Sequence, residues 1–77
     1  MAKDRLFRIG EVMAFSGISR QTLHNYTVFG LITEERRTRA GYRLYGEEVF
    51  VQLRRIAQLK PHHTLREIKE ILKREDN

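Results

Sequence analysis

Four residues, "SGIS" (Ser16 to Ser19), separate two short stretches of helical apolar spacing, and they constrain this chain more than any other segment. Upstream, Ile9, Val12 and Met13 fall at i, i+3 and i+4, one face of a short helix. Gly17 can take the left-handed conformation that ends a helix. Ser19 can cap the next helix by accepting from its freed amides. The second helix then runs from Arg20 to about Val28, where Phe29-Gly30-Leu31 supplies the stop. Two short helices joined through a glycine turn form a helix-turn-helix pattern over about residues 9–29.

The second helix divides by face. Leu23 and Tyr26 share one side; Arg20, Gln21, His24 and Asn25 share the other, with Val28 at its margin. That polar side carries no acid and holds groups able to hydrogen-bond base edges, although a solvated surface face would look similar.

Leu6 to Ile9 alternates like an edge strand, ahead of the first helix. In "RTRAGYRLY" (Arg37 to Tyr45), Ala40-Gly41 can turn a hairpin, with Gly41 at positive φ. Tyr42 and Leu44 then point to one side, Arg43 and Tyr45 to the other. The hairpin, about residues 36–45 with Arg39 near its tip, is either a wing over a phosphate backbone or a small basic turn held by its aromatics.

Helical spacing returns at Glu47, with Phe50, Leu53, Ile56 and Ala57 as the apolar stripe and Lys60-Pro61 as the stop. "TLRE" (Thr64 to Glu67) is a capping box, followed by Leu65, Ile68, Ile71 and Leu72 on one face. The last two helices are thus expected over about 47–60 and 64–75, and the core at Leu23, Phe50, Leu53, Ile56 and Ile68.

Length and charge narrow the function. Seventy-seven residues make one domain, 1–77, and a chain this short buries only about 60–65% of its unfolded surface. No cysteine is present to staple it, and no apolar run approaches the ~20 residues of a membrane span. The charged N-terminus lacks the apolar stretch of a signal peptide, so a cytoplasmic protein is expected. Fifteen Lys/Arg against ten Asp/Glu give a net charge of +5, and most of the cations are Arg, which can fork onto phosphate or guanine. A polyanionic partner follows.

Enzyme chemistry has little support. Glu47 and Glu48 are adjacent, so on a helix they diverge by about 100° and balance the helix dipole. His62 and His63 are adjacent after a proline and lack a third ligand nearby. There is no glycine-rich phosphate loop and no nucleophile with a matching base. Neither catalysis, a metal nor a cofactor is expected.

Four stretches together resemble the DNA-binding domain of the MerR (mercury-resistance-type) family of transcription regulators. They are "FRIGEVMAFSGISRQTL" (Phe7 to Leu23), "FGLI" (Phe29 to Ile32), "GYRLYGEE" (Gly41 to Glu48) and "TLREIKEIL" (Thr64 to Leu72). The resemblance implies a mainly α winged helix-turn-helix of four helices with a small hairpin wing of two or three strands. It also implies sequence-specific binding of double-stranded DNA, with helix 20–28 in the major groove. Arg20, Thr22 and Tyr26 lie where family members touch DNA from that helix. Arg37 matches the wing arginine, and Tyr42 and Arg43 match a pair that grips the backbone. The Tyr26 ring, sharing the Leu23 face, either packs in the core with its hydroxyl reaching phosphate or stands exposed.

The chain departs from the family pattern in three places. "HNYT" (His24 to Thr27) replaces Arg-Tyr-Tyr-Glu, Glu34 replaces a proline, and "KPHH" (Lys60 to His63) replaces a glycine-aromatic ending. The long dimerisation helix and effector domain usual in the family are not in these residues. The chain is therefore expected to be either an excised N-terminal domain or a stand-alone short member. It should have no small-molecule effector site, be a monomer when free, and assemble in copies only on DNA. RNA polymerase is a second partner such a regulator would meet, at the nucleoid. Two alternatives stand beside this reading: an excisionase-like architectural DNA-binding protein, and a protein-interaction module on the same fold.

Overall fold

The computed structural model describes residues 5–75. Strand β1 (Phe7–Arg8) leads directly into α1 (Ile9–Ser16), so the strand expected over Leu6 to Ile9 is shorter by Leu6 at its start and gives up Ile9 to the helix. The Arg8 backbone N–H donates to the Glu11 carboxylate at 2.9 Å, which occupies a donor left over at the start of α1. At the other end Gly17 stands at φ 74°, a conformation a Cβ would strain, and its N–H donates to Met13 O at 2.9 Å. Ser19 Oγ accepts from the Thr22 N–H at 3.2 Å and opens α2 (Arg20–Phe29).

Strands β2 (Arg36–Arg37) and β3 (Arg43–Tyr45) form the hairpin, and the sheet order is β1-β3-β2, antiparallel throughout. Phe7 pairs with Tyr45, Arg8 with Leu44, Arg36 with Leu44 and Arg37 with Arg43. The third strand therefore ties the hairpin to the start of the helix-turn-helix. The turn itself is wider than Ala40-Gly41. Thr38 N–H donates to Tyr42 O at 2.8 Å and Gly41 N–H to Thr38 O at 2.9 Å, leaving Arg39, Ala40 and Gly41 (φ 91°) as a three-residue loop. A type I turn closed by a left-handed residue has this geometry. Arg39 consequently sits at the tip.

Helices α3 (Glu48–Leu59) and α4 (Leu65–Glu75) close the domain. The capping box at α4 forms reciprocally: Thr64 N–H donates to Glu67 Oε1 at 2.9 Å, and Glu67 N–H to Thr64 Oγ1 at 3.1 Å. Of the expected core, Leu23, Leu53, Ile56 and Ile68 are buried and Phe50 is only half-buried; Ala57, expected on the α3 stripe, is exposed. The stripe on α3 runs instead through Val49, Leu53, Ile56 and Leu59. The apolar run Val49-Phe50-Val51 conceals this phase, because any of the three could begin the stripe. Phe50 closes the edge of the core as part of an aromatic cluster, edge-on to Phe7 at 5.0 Å and to Phe15 at 6.0 Å between ring centroids.

Tyr45, at the end of the hairpin, is the largest side chain buried outright. Its hydroxyl lies 2.9 Å from Thr27 Oγ1, and Thr27 in turn donates to Leu23 O at 2.8 Å. Thr27 has a single hydroxyl hydrogen, so the phenol is the donor in the first bond. A buried tyrosine whose oxygen is satisfied packs like any other aromatic, and this one pins the wing to α2.

Candidate nucleic-acid interface

The left-handed turn at Gly17 and the serine cap at Ser19 set α2 beside the sheet, and the Tyr45–Thr27 contact holds the wing against it. Between them lies an open groove of about 850 Å³. Arg20, Gln21 and His24 line it from α2; Arg37, Tyr42 and Arg43 line it from the wing. Six of the residues singled out in the sequence therefore meet at one place.

The other four sit outside its lining. Thr22 is half-buried, and its hydroxyl accepts from Ser19 Oγ at 3.0 Å within the helix cap. Asn25 is exposed one turn beyond Gln21, whose Nε2 donates to Asn25 Oδ1 at 3.0 Å. This pairing leaves Gln21 an acceptor and Asn25 a donor for an incoming group. Tyr26 is buried in the core, at 5% exposure, and its hydroxyl accepts from Lys60 Nζ at 3.3 Å. Arg39 is exposed at the wing tip.

Sequence reasoning passed over Arg8 and Gly10, which line the groove from the junction of β1 and α1. Arg8 pairs with Leu44 across the sheet, which brings it alongside the Arg43 strand. The signal was present in "FRIG", but only the folded groove shows that this arginine and the wing line one space. The acid in the lining, Glu11, is already engaged: it accepts from the Arg8 N–H at 2.9 Å and from Arg5 Nη2 at 3.5 Å.

Electrostatics within the wing centre on Glu34. Arg37 and Arg43 face each other in register, a like-charge pair that would repel. The Glu34 carboxylate bridges them: Arg37 Nε donates to Oε2 at 2.6 Å and Nη2 to Oε1 at 3.2 Å, while Arg43 Nε donates to Oε1 at 2.8 Å. The hydrogen bond from Arg37, with a further contribution from Arg43, outweighs partial burial and holds Glu34 below the ordinary 4.5 of a carboxylate. It is therefore ionised throughout the neutral range. Arg43 Nη1 also lies 3.4 Å from His24 Nδ1, which links the wing to α2. A guanidinium has only donors, so any hydrogen bond in this contact is accepted by Nδ1.

Among the described residues, no cluster of three or more His, Cys, Asp or Glu could hold a metal ion, and no helix is long and apolar enough to cross a membrane. The exposed large hydrophobics Phe15, Val28, Phe29, Tyr42 and Val51 lie on α1, α2, the wing and α3. None of them lies on α4.

Comparison with known proteins agrees with this architecture. Residues 8–45 match the model of the MerR family regulatory proteins. The chain is 37% identical over 67 residues to the mercuric resistance operon regulatory protein of Bacillus cereus, covering 86% of this chain and 51% of that protein. It is also 37% identical over 67 residues to the HTH-type transcriptional activator mta of Bacillus subtilis, covering 26% of that protein. The chain thus spans about half or less of these curated relatives. Among solved structures, the N-terminal part of the Bacillus subtilis multidrug transporter activator, MtaN, superposes with a TM-score of 0.80 at 37% identity, over 86% of this chain and 63% of that one. A MerR-family transcriptional regulator from Bacillus cereus superposes with a TM-score of 0.79 at 25% identity, over 88% of this chain and 52% of that one.

Proposed function

Because residues 8–45 of this chain are a helix-turn-helix domain of the MerR family, we propose that the chain binds double-stranded DNA sequence-specifically as the DNA-binding part of a transcription regulator. The observation that carries the reading is the shared groove: the polar side of α2 and the wing arginines face one space. An α-helix fits the major groove of B-DNA, roughly 12 Å wide, and there its side chains meet base edges. On this reading Arg20, Gln21, His24 and Asn25 face the bases. Arg37, Arg39, Tyr42 and Arg43 hold the phosphates and set the register without carrying sequence information. Thr22 and Tyr26 support the helix from behind, Tyr26 presenting Lys60 through its hydroxyl.

Asn25 is the sharpest point of the hypothesis, since "HNYT" is where the chain leaves its family's pattern. The Gln21–Asn25 pair offers one acceptor and one donor, the complement of an adenine edge, and a well-made contact of that kind discriminates by about 1–3 kcal/mol. Selection of sites from a random duplex pool, run in parallel for the natural chain and Asn25→Ala, tests this. The natural chain should yield a defined site, and the variant should lose preference at one or two positions of it. Recovery of no consensus by the natural chain would remove sequence-specific binding; an identical consensus from both would remove the role of Asn25.

A further inference from the structure

Glu34 stands between buried Ile32 and strand β2. Its two oxygens take three hydrogen bonds from the two arginines of the wing. The fork from Arg37 uses Nε and Nη2 together, the same two-pronged geometry by which a guanidinium grips a phosphate. Glu34 is at 25% and Arg43 at 30% side-chain exposure, while Arg37 stands out at 53% and can turn to a phosphate.

We propose that Glu34 acts as an internal stand-in for a phosphate, binding Arg37 and Arg43 into one cluster of net charge +1 and so weakening the wing's attraction to duplexes of arbitrary sequence. The inference rests on the DNA-binding reading above. Two arginines and one glutamate present a single positive charge to the DNA backbone instead of two. Since non-specific affinity rises with the number of phosphates neutralised, one fewer effective cation lowers it for every sequence alike. Contacts from α2 to base edges are unaffected, so the whole affinity scale shifts down while the preferred sequence stays the same. Glu34 thus sets the strength and salt dependence of DNA binding without needing to touch DNA. The terminal nitrogens of both arginines still have donors for a true phosphate, because each guanidinium has five N–H groups and Glu34 engages only two of Arg37 and one of Arg43. The bridge therefore attenuates the wing without disabling it.

The test compares the 77-residue chain with Glu34→Gln and Glu34→Asp, titrated against a duplex of arbitrary sequence over a range of salt concentrations. Glu34→Gln should bind about fivefold to tenfold more tightly near ~0.1 M salt, with the slope of log K against log salt steeper by about one. Glu34→Asp, which keeps the charge, should restore the natural slope. Without DNA, the Nε–H resonances of Arg37 and Arg43 should be sharp in the natural chain and in Glu34→Asp, and broadened by solvent exchange in Glu34→Gln. If the natural chain binds duplex but Glu34→Gln shows an unchanged slope or weaker binding, the inference is overturned and the DNA-binding reading stands. Absence of duplex binding by both proteins would overturn the two together.

Discussion

Leu23→Ala should destabilise the domain by about 2–5 kcal/mol and lower its melting temperature by about 10 °C or more. Leu23 is fully buried on the inner side of α2, and its carbonyl accepts the hydrogen bond that orients Thr27 and, through it, Tyr45. Removing the side chain leaves a cavity where α2 meets the core, and a thin core has little material with which to fill it. A domain of this length has only about 4–12 kcal/mol of stability in total. The variant should therefore lose a large share of its stability, and its melt should move well toward body temperature. Thermal melts followed by circular dichroism measure the effect. A shift of only a few degrees would show that Leu23 does not anchor the helix.

Arg43→Ala should weaken binding to every duplex by about tenfold near ~0.1 M salt and make the salt slope shallower by about one, leaving the preferred sequence unchanged. Arg43 is the wing residue that meets both Glu34 and His24, so its loss removes a phosphate contact and one link to α2, while Tyr45 still holds the wing in place. Anisotropy titrations over a salt series separate the two possible roles. A changed site preference at constant slope would mean that Arg43 reads a base and that the wing enters a groove.

The helical part of the fold was legible because its signals are local. Gly17, Ser19, Gly30 and the Thr64–Glu67 box each determine a helix end through residues within a few positions of one another, and each forms as the sequence implies. Phase was harder to read where apolar residues run together. The run Val49-Phe50-Val51 gave no local reason to prefer Val49, and only packing against the rest of the core selects it. Tyr45 was missed for a related reason. Its hydroxyl argues for the surface until Thr27, eighteen positions away in sequence, supplies a partner.

For the candidate site, composition and helical periodicity identified the residue types, and the groove brings six of the ten together. What no local pattern could supply was the pairing of distant residues. Arg8 joins the groove only because β1 lies next to β3, and Glu34 was visible as an unusual residue without any sign that it bridges two arginines nine and three positions away. Tyr26 takes the core-packed arrangement of the two that its position allowed. Its position matches a DNA-contacting residue, while its ring lies in the core.

The central claim is that the groove between α2 and the wing is the face that meets DNA. Titrating the isotopically labelled chain with its selected duplex, and following backbone amide shifts, tests it most directly. The account predicts that the largest changes fall on Arg20, Gln21, His24 and the wing from Arg37 to Arg43, with Ile71 and Leu72 on α4 nearly unmoved. Shifts concentrated on α3 and α4, with α2 and the wing unchanged, would contradict it and point instead to a domain that docks partners through its last two helices.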